Sequence, residues 1–278
     1  MNLHPGAIAE HEASQPRARG QVRVTSKRRD GRSVIDDLAM SGSMKLLFPR
    51  PSGDALDAML INTAGGVTGG DRFFVEAGAG PGTTLTLTTQ AAERAYAARG
   101  ETAGRIETHL SVAADARLNW LPQETILFDN MNFERGLTAD LDSGARFLMV
   151  EPLVLGRVAM GERLRAGRFR DRVEIRVGGR PVYLDGVALT GDVEAQMARP
   201  ATMNGARAVA ALVYAGPDAE AWLAPMRRLM PETGGVSLHS PGLLTCRIVA
   251  PDSFALRKAL IPAMRLMNAD EIPRPWML

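Results

Sequence analysis

Residues 83–89 read Thr-Thr-Leu-Thr-Leu-Thr-Thr, a strict alternation that places Leu85 and Leu87 on one face and threonines on the other. A period of two residues predicts a half-buried β-strand. Similar apolar runs recur, separated by glycines and prolines, from Gly20 to about residue 190, at 21–25, 45–48, 58–61, 105–112, 116–121, 136–141, 147–152 and 172–177. This spacing of short strands predicts a mostly β protein with a two-layered, mostly antiparallel body.

The last third of the chain changes character. A strand candidate at 208–214 precedes Asp218 and a helical pattern, and a hairpin at 236–250 precedes Asp252 and a second helical pattern. The predicted order is β-α-β-β-α, a small C-terminal α/β layer packed on the β body. We therefore predict a disordered tail over residues 1–19 and one domain over 20–278, made of a β-rich body (20–195) and an α/β part (200–278).

Composition narrows the classes of function. The 33 Lys and Arg residues exceed the 31 Asp and Glu residues by two, which gives no reason to expect a nucleic-acid partner. No run reaches the roughly 18 apolar residues of a membrane-spanning helix, and the first residues lack a signal-peptide core. The single cysteine, Cys246, excludes an internal disulfide and suits a reducing cytoplasm. Its apolar neighbours indicate a core residue, although His239 and Cys246 could also meet across the hairpin.

The run Ile-Asn-Thr-Ala-Gly-Gly-Val-Thr-Gly-Gly-Asp-Arg at 61–72 is the most unusual local feature. A phosphate-binding P-loop requires a lysine after its last glycine, whereas Asp71 follows Gly70 here. A dinucleotide fingerprint opens a helix, but this run leads into another strand pattern. The run is therefore typical of a sharp turn between strands, in which glycines adopt positive φ angles and Asp71 caps backbone N–H groups.

Four further acids, Glu124, Asp129, Glu151 and Glu162, stand in or beside apolar strand patterns. Buried carboxylates need partners, and Arg135, Arg157 and Arg163 lie nearby in sequence, so structural ion pairs are one interpretation. An oxygen-lined path for a metal cation is a second interpretation. A carboxylate-based hydrolase with its site near the glycine-rich run is a third, since paired acids can perform acid and base chemistry.

Five motifs in order carry a resemblance: INTAGGVTGGDRF, LTTQAAERAY, WLPQETILFDN, VEPLVLGRVAMGE and the terminal IPRPWML. Over residues 20–278 the chain resembles the urease accessory protein UreD, also called UreH. The resemblance implies a β-helix-like body with a smaller helical part and a non-enzymatic scaffold. Such a scaffold would bind UreF and the GTPase UreG, dock on the urease apoprotein and help to deliver nickel, with GTP bound only by UreG and no tightly bound cofactor.

This resemblance sharpens the interpretation of two sets of residues. Tight nickel sites favour imidazole and thiolate ligands, which this chain nearly lacks, so we expect nickel to pass through on carboxylates. The predicted transient path includes Asp71, Glu124, Asp129, Glu151 and Glu162. Arginine and tryptophan are enriched in interface centres, so Trp222, Arg274 and Trp276 are candidate partner contacts, with anchoring of the chain end to its own core as the alternative for Trp276.

Overall fold

The computed structural model describes residues 16–50, 53–157, 160–269 and 271–277. Its strands are β1 (Arg19–Arg29), β2 (Arg32–Gly42), β3 (Met44–Leu47), β4 (Leu56–Asn62), β5 (Arg72–Ala79), β6 (Thr84–Thr89), β7 (Glu93–Ala95), β8 (Gly104–Val112), β9 (Arg117–Leu121), β10 (Thr125–Leu127), β11 (Asn132–Leu141), β12 (Arg146–Leu155), β13 (Arg168–Val177), β14 (Arg180–Thr190), β15 (Ala208–Ala215), β16 (Gly234–Ser240) and β17 (Leu243–Ala250). The helices are α1 (Val193–Met197), α2 (Ala219–Leu229), α3 (Ser253–Met267) and a terminal 3-10 turn (Arg274–Met277).

Strands β4 to β13 wind as a β-solenoid, because the chain passes repeatedly between two facing sheets, with the short strands β7 and β10 added beside sheet B. Sheet A has the order β14-β13-β11-β8-β5-β1-β2, and sheet B has the order β16-β17-β15-β12-β9-β6-β4-β3. Each coil stacks in parallel on the one before it: Arg72 of β5 pairs with Arg105 of β8, which pairs with Glu134 of β11. The mostly β prediction and the β-helix-like body are thus confirmed.

The predicted antiparallel pairing is wrong for the solenoid itself. Antiparallel pairs occur at its ends, where β2 pairs with β1, β3 with β4, β14 with β13, and β15 with β12. The reason is the winding: a strand's partner lies one full coil away in sequence and runs in the same direction, and such crossovers give parallel pairs.

The main core lies between the two sheets, where every second side chain points inward. Leu85 and Leu87 are fully buried there, as predicted. Their strand is not half-buried, however, because Thr86 and Thr88 on its other face are also buried. Thr86 accepts a hydrogen bond from Asn119, whose Nδ2 also donates to Asn268 just after α3, so the C-terminal segment covers this face.

The predicted β-α-β-β-α order of the C-terminal part is confirmed as β15-α2-β16-β17-α3. Its strands do not form a layer of their own, because β15, β17 and β16 continue sheet B beyond β12. Helices α2 and α3 pack on the outer face of that sheet around a second core that includes Leu148, Tyr214 and Met264. Asp252 caps α3 by accepting from the Ala255 N–H at 2.7 Å.

Most of the predicted tail, residues 1–15, lies outside the described residues, and β1 begins at Arg19. Sequence patterns missed β2 and β14, whose charged or exposed residues hide the alternation. Across the described ranges, no helix is long and apolar enough to cross a membrane.

Candidate functional site

The glycine-rich run forms the corner that connects β4 of sheet B to β5 of sheet A. Gly65, Gly66 and Gly70 have φ angles of 78°, 153° and 87°, values that favour glycine. A Cβ atom at position 66 would lie 2.3 Å from the Tyr96 ring, so the backbone here packs directly against the next coil. The glycines therefore serve both a turn and a close approach within the chain.

Asp71 ends this run and is buried. Its Oδ1 accepts from the Ala18 N–H at 2.8 Å, and its Oδ2 accepts from the Thr68 N–H at 2.9 Å. The carboxylate therefore closes the corner and ties it to the segment that enters β1, as the capping interpretation of the sequence expects.

Corners of successive coils stack on one another at this edge of the solenoid. The Thr68 hydroxyl donates to the Ala97 carbonyl, the Ala98 N–H to Asn130, and the Asn130 N–H to Ala166. We call this stack, formed by residues 63–71, 96–103, 128–131 and 160–167, the corner stack. Because each corner leads into the next strand of sheet A, the stack brings together acids that are far apart in sequence.

Asp129 and Glu162 meet in the corner stack. Glu162 Oε1 accepts from the Asp129 N–H at 3.3 Å, and Asp129 Oδ1 accepts from the Ala166 N–H at 3.0 Å. Arg157 holds Glu162 through two bonds of 3.0 and 3.1 Å and lies 4.3 Å from the Phe128 ring centre. The hydrogen bond from Arg157 lowers the pKa of Glu162, so this side chain is held as a carboxylate.

Glu151 lies inside the solenoid in a buried ion cluster. Arg135 Nη1 is 2.5 Å from Glu151 Oε2, and the same guanidinium grips Asp171 with its Nε at 3.1 Å and its Nη2 at 2.5 Å. Arg135 also donates to the Thr125 hydroxyl at 3.0 Å, and the Trp120 indole donates to Glu151 Oε1 at 2.6 Å. The inner faces of both sheets thus contribute to one cluster.

Burial and the charges of the neighbouring groups act in opposite directions on the pKa values of this cluster. Desolvation raises the pKa of Glu151 above its ordinary value, although Arg135 opposes the shift. Burial alone would lower the pKa of Arg135, but Asp171 and Glu151 outweigh it and raise that pKa. Arg135 and Arg157 pair as the ion-pair interpretation expects, whereas among the described contacts Arg163 has no carboxylate partner.

Glu124 faces the C-terminal helix instead of the corner stack or the interior cluster. Its carboxylate accepts from the Ser253 hydroxyl at 3.0 Å and from Arg257 at 3.1 Å. Arg257 also donates to the Pro275 carbonyl and lies 4.9 Å from the Trp276 ring centre. The five acids of the predicted path are therefore distributed over three places, and the metal-path role stays a prediction.

The three predicted partner contacts differ in their access to solvent. Trp276 is 1% exposed, so it has the anchoring role that the sequence left open. Arg274 is exposed, and Trp222 is half-buried on α2, where its indole donates to Asp218. His239 and Cys246 do not pair across the hairpin, since Cys246 lies opposite Val236 and its thiol contacts Met230.

Sequence reasoning missed Asp171, Trp120 and Arg257, whose partners lie 31 to 133 residues away. Within the described part of the chain, no three His, Cys, Asp or Glu side chains gather as a metal-ligand set. Two of the acids, Asp129 and Glu162, lie in adjacent corners, where the Asp129 N–H donates to Glu162 Oε1. Asp71 lies in the same stack, farther along.

Comparisons with known proteins identify the same family along nearly the whole described chain. The family model of the UreD urease accessory protein matches residues 18–277. Among curated proteins, the urease accessory protein UreD of Roseobacter denitrificans is 51% identical over 264 residues, covering 95% of this chain and 96% of that one. The protein of the same name from Ruegeria pomeroyi is 52% identical, covering 88% of this chain and 96% of that one. The one from Agrobacterium fabrum is 44% identical, covering 98% of this chain and 97% of that one.

Proposed function

The chain belongs to the UreD family of urease accessory proteins, and from this premise we propose that it is a non-enzymatic scaffold for urease maturation in the cytoplasm. In this role it binds UreF and UreG, docks on the urease apoprotein and helps nickel to reach the active site. The observation that carries the proposal is the family match over residues 18–277 together with relatives of near-equal length.

Nickel is the cargo in this proposal, and carboxylates are the groups that would handle it. Oxygen ligands hold Ni²⁺ more weakly than imidazole or thiolate ligands, which suits release to a recipient site. Asp129 and Glu162 lie in adjacent corners that contact each other, and Asp71 caps another corner of the same stack. Glu151 and Glu124 extend the proposed path to the interior and to the C-terminal face, although each is bound to an arginine.

The hydrolase alternative requires an acid and a base facing a substrate. Near the glycine-rich run, the Asp71 carboxylate is occupied by two backbone N–H groups. The interior acids Glu151 and Asp171 are both bound to the Arg135 guanidinium between the two sheets. A substrate would have to displace this guanidinium, and the cost of leaving buried acids without their cation is high. The contacts of these acids therefore favour the scaffold.

The maturation role is tested by co-expressing the urease operon with and without this chain and assaying nickel-dependent urease activity. We expect little activity without the chain, and full activation in its absence would overturn the proposal. Capture of UreF and UreG by the tagged chain tests the partner assignment separately. Arg274→Ala and Trp222→Ala should weaken that capture, since both side chains are at least partly accessible.

The nickel path is tested with near-isosteric variants that remove charge and preserve shape. Asp129→Asn and Glu162→Gln should lower activation at limiting nickel, and excess nickel should restore it, because weak oxygen ligands matter most when the ion is scarce. Glu232→Gln, at an exposed acid without an ion pair among the described residues, is the matched control. Unchanged activation by both corner variants, with UreF capture retained, would exclude these acids from the path.

A further inference from the structure

Five arginines lie in a row on the outer face of sheet A, at the edge where its parallel strands begin. Arg19, Arg72 and Arg105 occupy adjacent positions on β1, β5 and β8, and Arg168 and Arg170 stand at the start of β13. All five are exposed. We call Arg19, Arg72, Arg105, Arg168 and Arg170 the arginine rim. It is invisible in the sequence because only the parallel register aligns these strand starts.

The rim has too few acids for its charge. Glu134 is the acid in the row, and it pairs with Arg105 at 2.7 Å. Arg72 donates to the Ala103 carbonyl at 2.8 Å, which leaves its charge uncompensated. Among the described residues, no carboxylate lies within ion-pair distance of Arg19, Arg168 or Arg170. Like charges on neighbouring strands destabilise a sheet, so the fold carries a cost here.

Farther along the same strands the outer face is electrically balanced. Arg23 pairs with Glu76, Arg172 pairs with Glu174, and Arg176 pairs with both Glu174 and Asp140. The excess of positive charge is therefore confined to the strand starts, beside the corner stack, and is not a property of the whole face. A localised surplus on a chain of net charge +2 indicates a specific contact with an anionic group.

The surroundings of the rim favour a protein as the occupant. A shallow groove runs along the part of the rim on β1, β5 and β8, lined by Arg19, Gln21, Arg72, Phe74, Arg105 and Glu107. A half-buried phenylalanine and an acid among arginines make a mixed surface of the kind found in protein interfaces, where Arg and aromatic residues are enriched and Lys is depleted.

We propose that the arginine rim docks an acidic segment of a partner protein, with guanidinium groups binding Asp or Glu carboxylates. The outermost strands of the rim, β1 and β13, are separated by four strand spacings of about 4.8 Å, which an extended peptide of about six residues would span. Arginine forks bind carboxylates bidentately, which gives such a contact geometric specificity as well as charge. This inference rests on the charges and geometry of the arginine rim and does not depend on the proposed nickel path.

The test uses a fluorescein-labelled oligoglutamate peptide of about ten residues, longer than the rim, and measures fluorescence anisotropy with the purified full chain at low salt. We expect saturable binding that weakens as salt rises. The double variant Arg19→Glu, Arg170→Glu should raise the dissociation constant about tenfold or more. Neither side chain makes a described hydrogen bond, so the fold should persist, and thermal melting checks this.

The matched control is Arg180→Glu, Arg228→Glu, which changes the net charge equally at exposed positions outside the rim. It should bind the peptide as the natural chain does. Equal weakening by the rim variant and the control would overturn the proposal, because the binding would then reflect net charge alone. Absence of saturable binding, or preferential binding of a single-stranded oligonucleotide of equal charge, would overturn it as well.

Discussion

The Trp276 indole Nε1 donates a hydrogen bond to the Leu121 carbonyl at 2.9 Å, although 155 residues separate the two positions. Leu121 ends β9 in sheet B, and Trp276 lies two residues from the end of the chain. Arg257 covers the ring and binds Glu124 and the Pro275 carbonyl. The 3-10 turn Arg274–Met277 is thus held to the solenoid by one buried aromatic side chain and a small polar network.

Replacing Trp276 with alanine should therefore destabilise the protein. Loss of a fully buried tryptophan and its hydrogen bond costs about 3–5 kcal/mol, measured by urea unfolding. Met277→Ala is the matched control: its side chain is 57% exposed, so its effect should stay within about 0.5 kcal/mol. If Trp276→Ala lost UreF capture with unchanged stability, the anchoring role would be contradicted and the interface role restored.

Removing the cation of the interior cluster should have a larger effect at neutral than at acidic pH. In Arg135→Met, two buried carboxylates lose their partner, and breaking a buried pair costs about 3–5 kcal/mol. Burial already raises the pKa of Glu151, so the folded state binds a proton more tightly than the unfolded state does. Stability therefore falls as pH rises from the unfolded to the folded pKa, and this loss should be greater in the variant.

The measurement is the free energy of unfolding of natural chain and variant between about pH 5 and 8, the range in which most proteins are most stable. Adding Glu151→Gln to Arg135→Met removes the titrating acid and should recover part of the lost stability at neutral pH. A pH-independent difference between Arg135→Met and the natural chain would show that Glu151 does not stay buried once Arg135 is gone.

Strand content could be predicted from sequence because the alternation of Leu85 and Leu87 with threonines is local. Strand direction could not, because it depends on which strands become neighbours. Arg72 pairs with Arg105, 33 residues on, while Arg105 pairs with Glu134, 29 residues on. Coils of unequal length with different side chains leave no repeat in the sequence, so the local pattern of short strands predicted mostly antiparallel pairing.

The difference between local and distant contacts also explains which contacts of the candidate site could be predicted from the sequence. The pair Arg157 and Glu162 is five residues apart, and proximity in sequence was enough to suggest it. Asp171 lies 36 residues from Arg135, and Arg257 lies 133 residues from Glu124. Those contacts arise from coil stacking and from the return of α3 to sheet B. Local patterns could therefore suggest the partners of an acid only where they lie close to it in sequence.

Gly66→Ala should destabilise the glycine corner more than Gly65→Ala. Both positions have positive φ, so each substitution carries backbone strain of about 1–2 kcal/mol. At position 66 the new Cβ would also lie 2.3 Å from the Tyr96 ring and 2.8 Å from the Arg94 carbonyl, whereas position 65 has no atom within 4 Å. Crowding should add about 1–3 kcal/mol. Equal unfolding midpoints for the two variants would contradict the close approach.

Cys246 should resist alkylation in the folded protein. Its thiol is buried on the helix-covered face of sheet B, and burial raises its pKa to about 12, so little thiolate forms near pH 8. Mass spectrometry after iodoacetamide treatment gives an unambiguous readout, because the chain has one cysteine. The reaction should be slow in buffer and complete in denaturant.

Trp276→Ala offers a further comparison, since loosening the C-terminal anchor should speed labelling in proportion to the opening of this core. Rapid labelling of the natural folded chain would show that the α2–β17 packing opens readily, and Cys246 would then become a candidate for a role beyond packing.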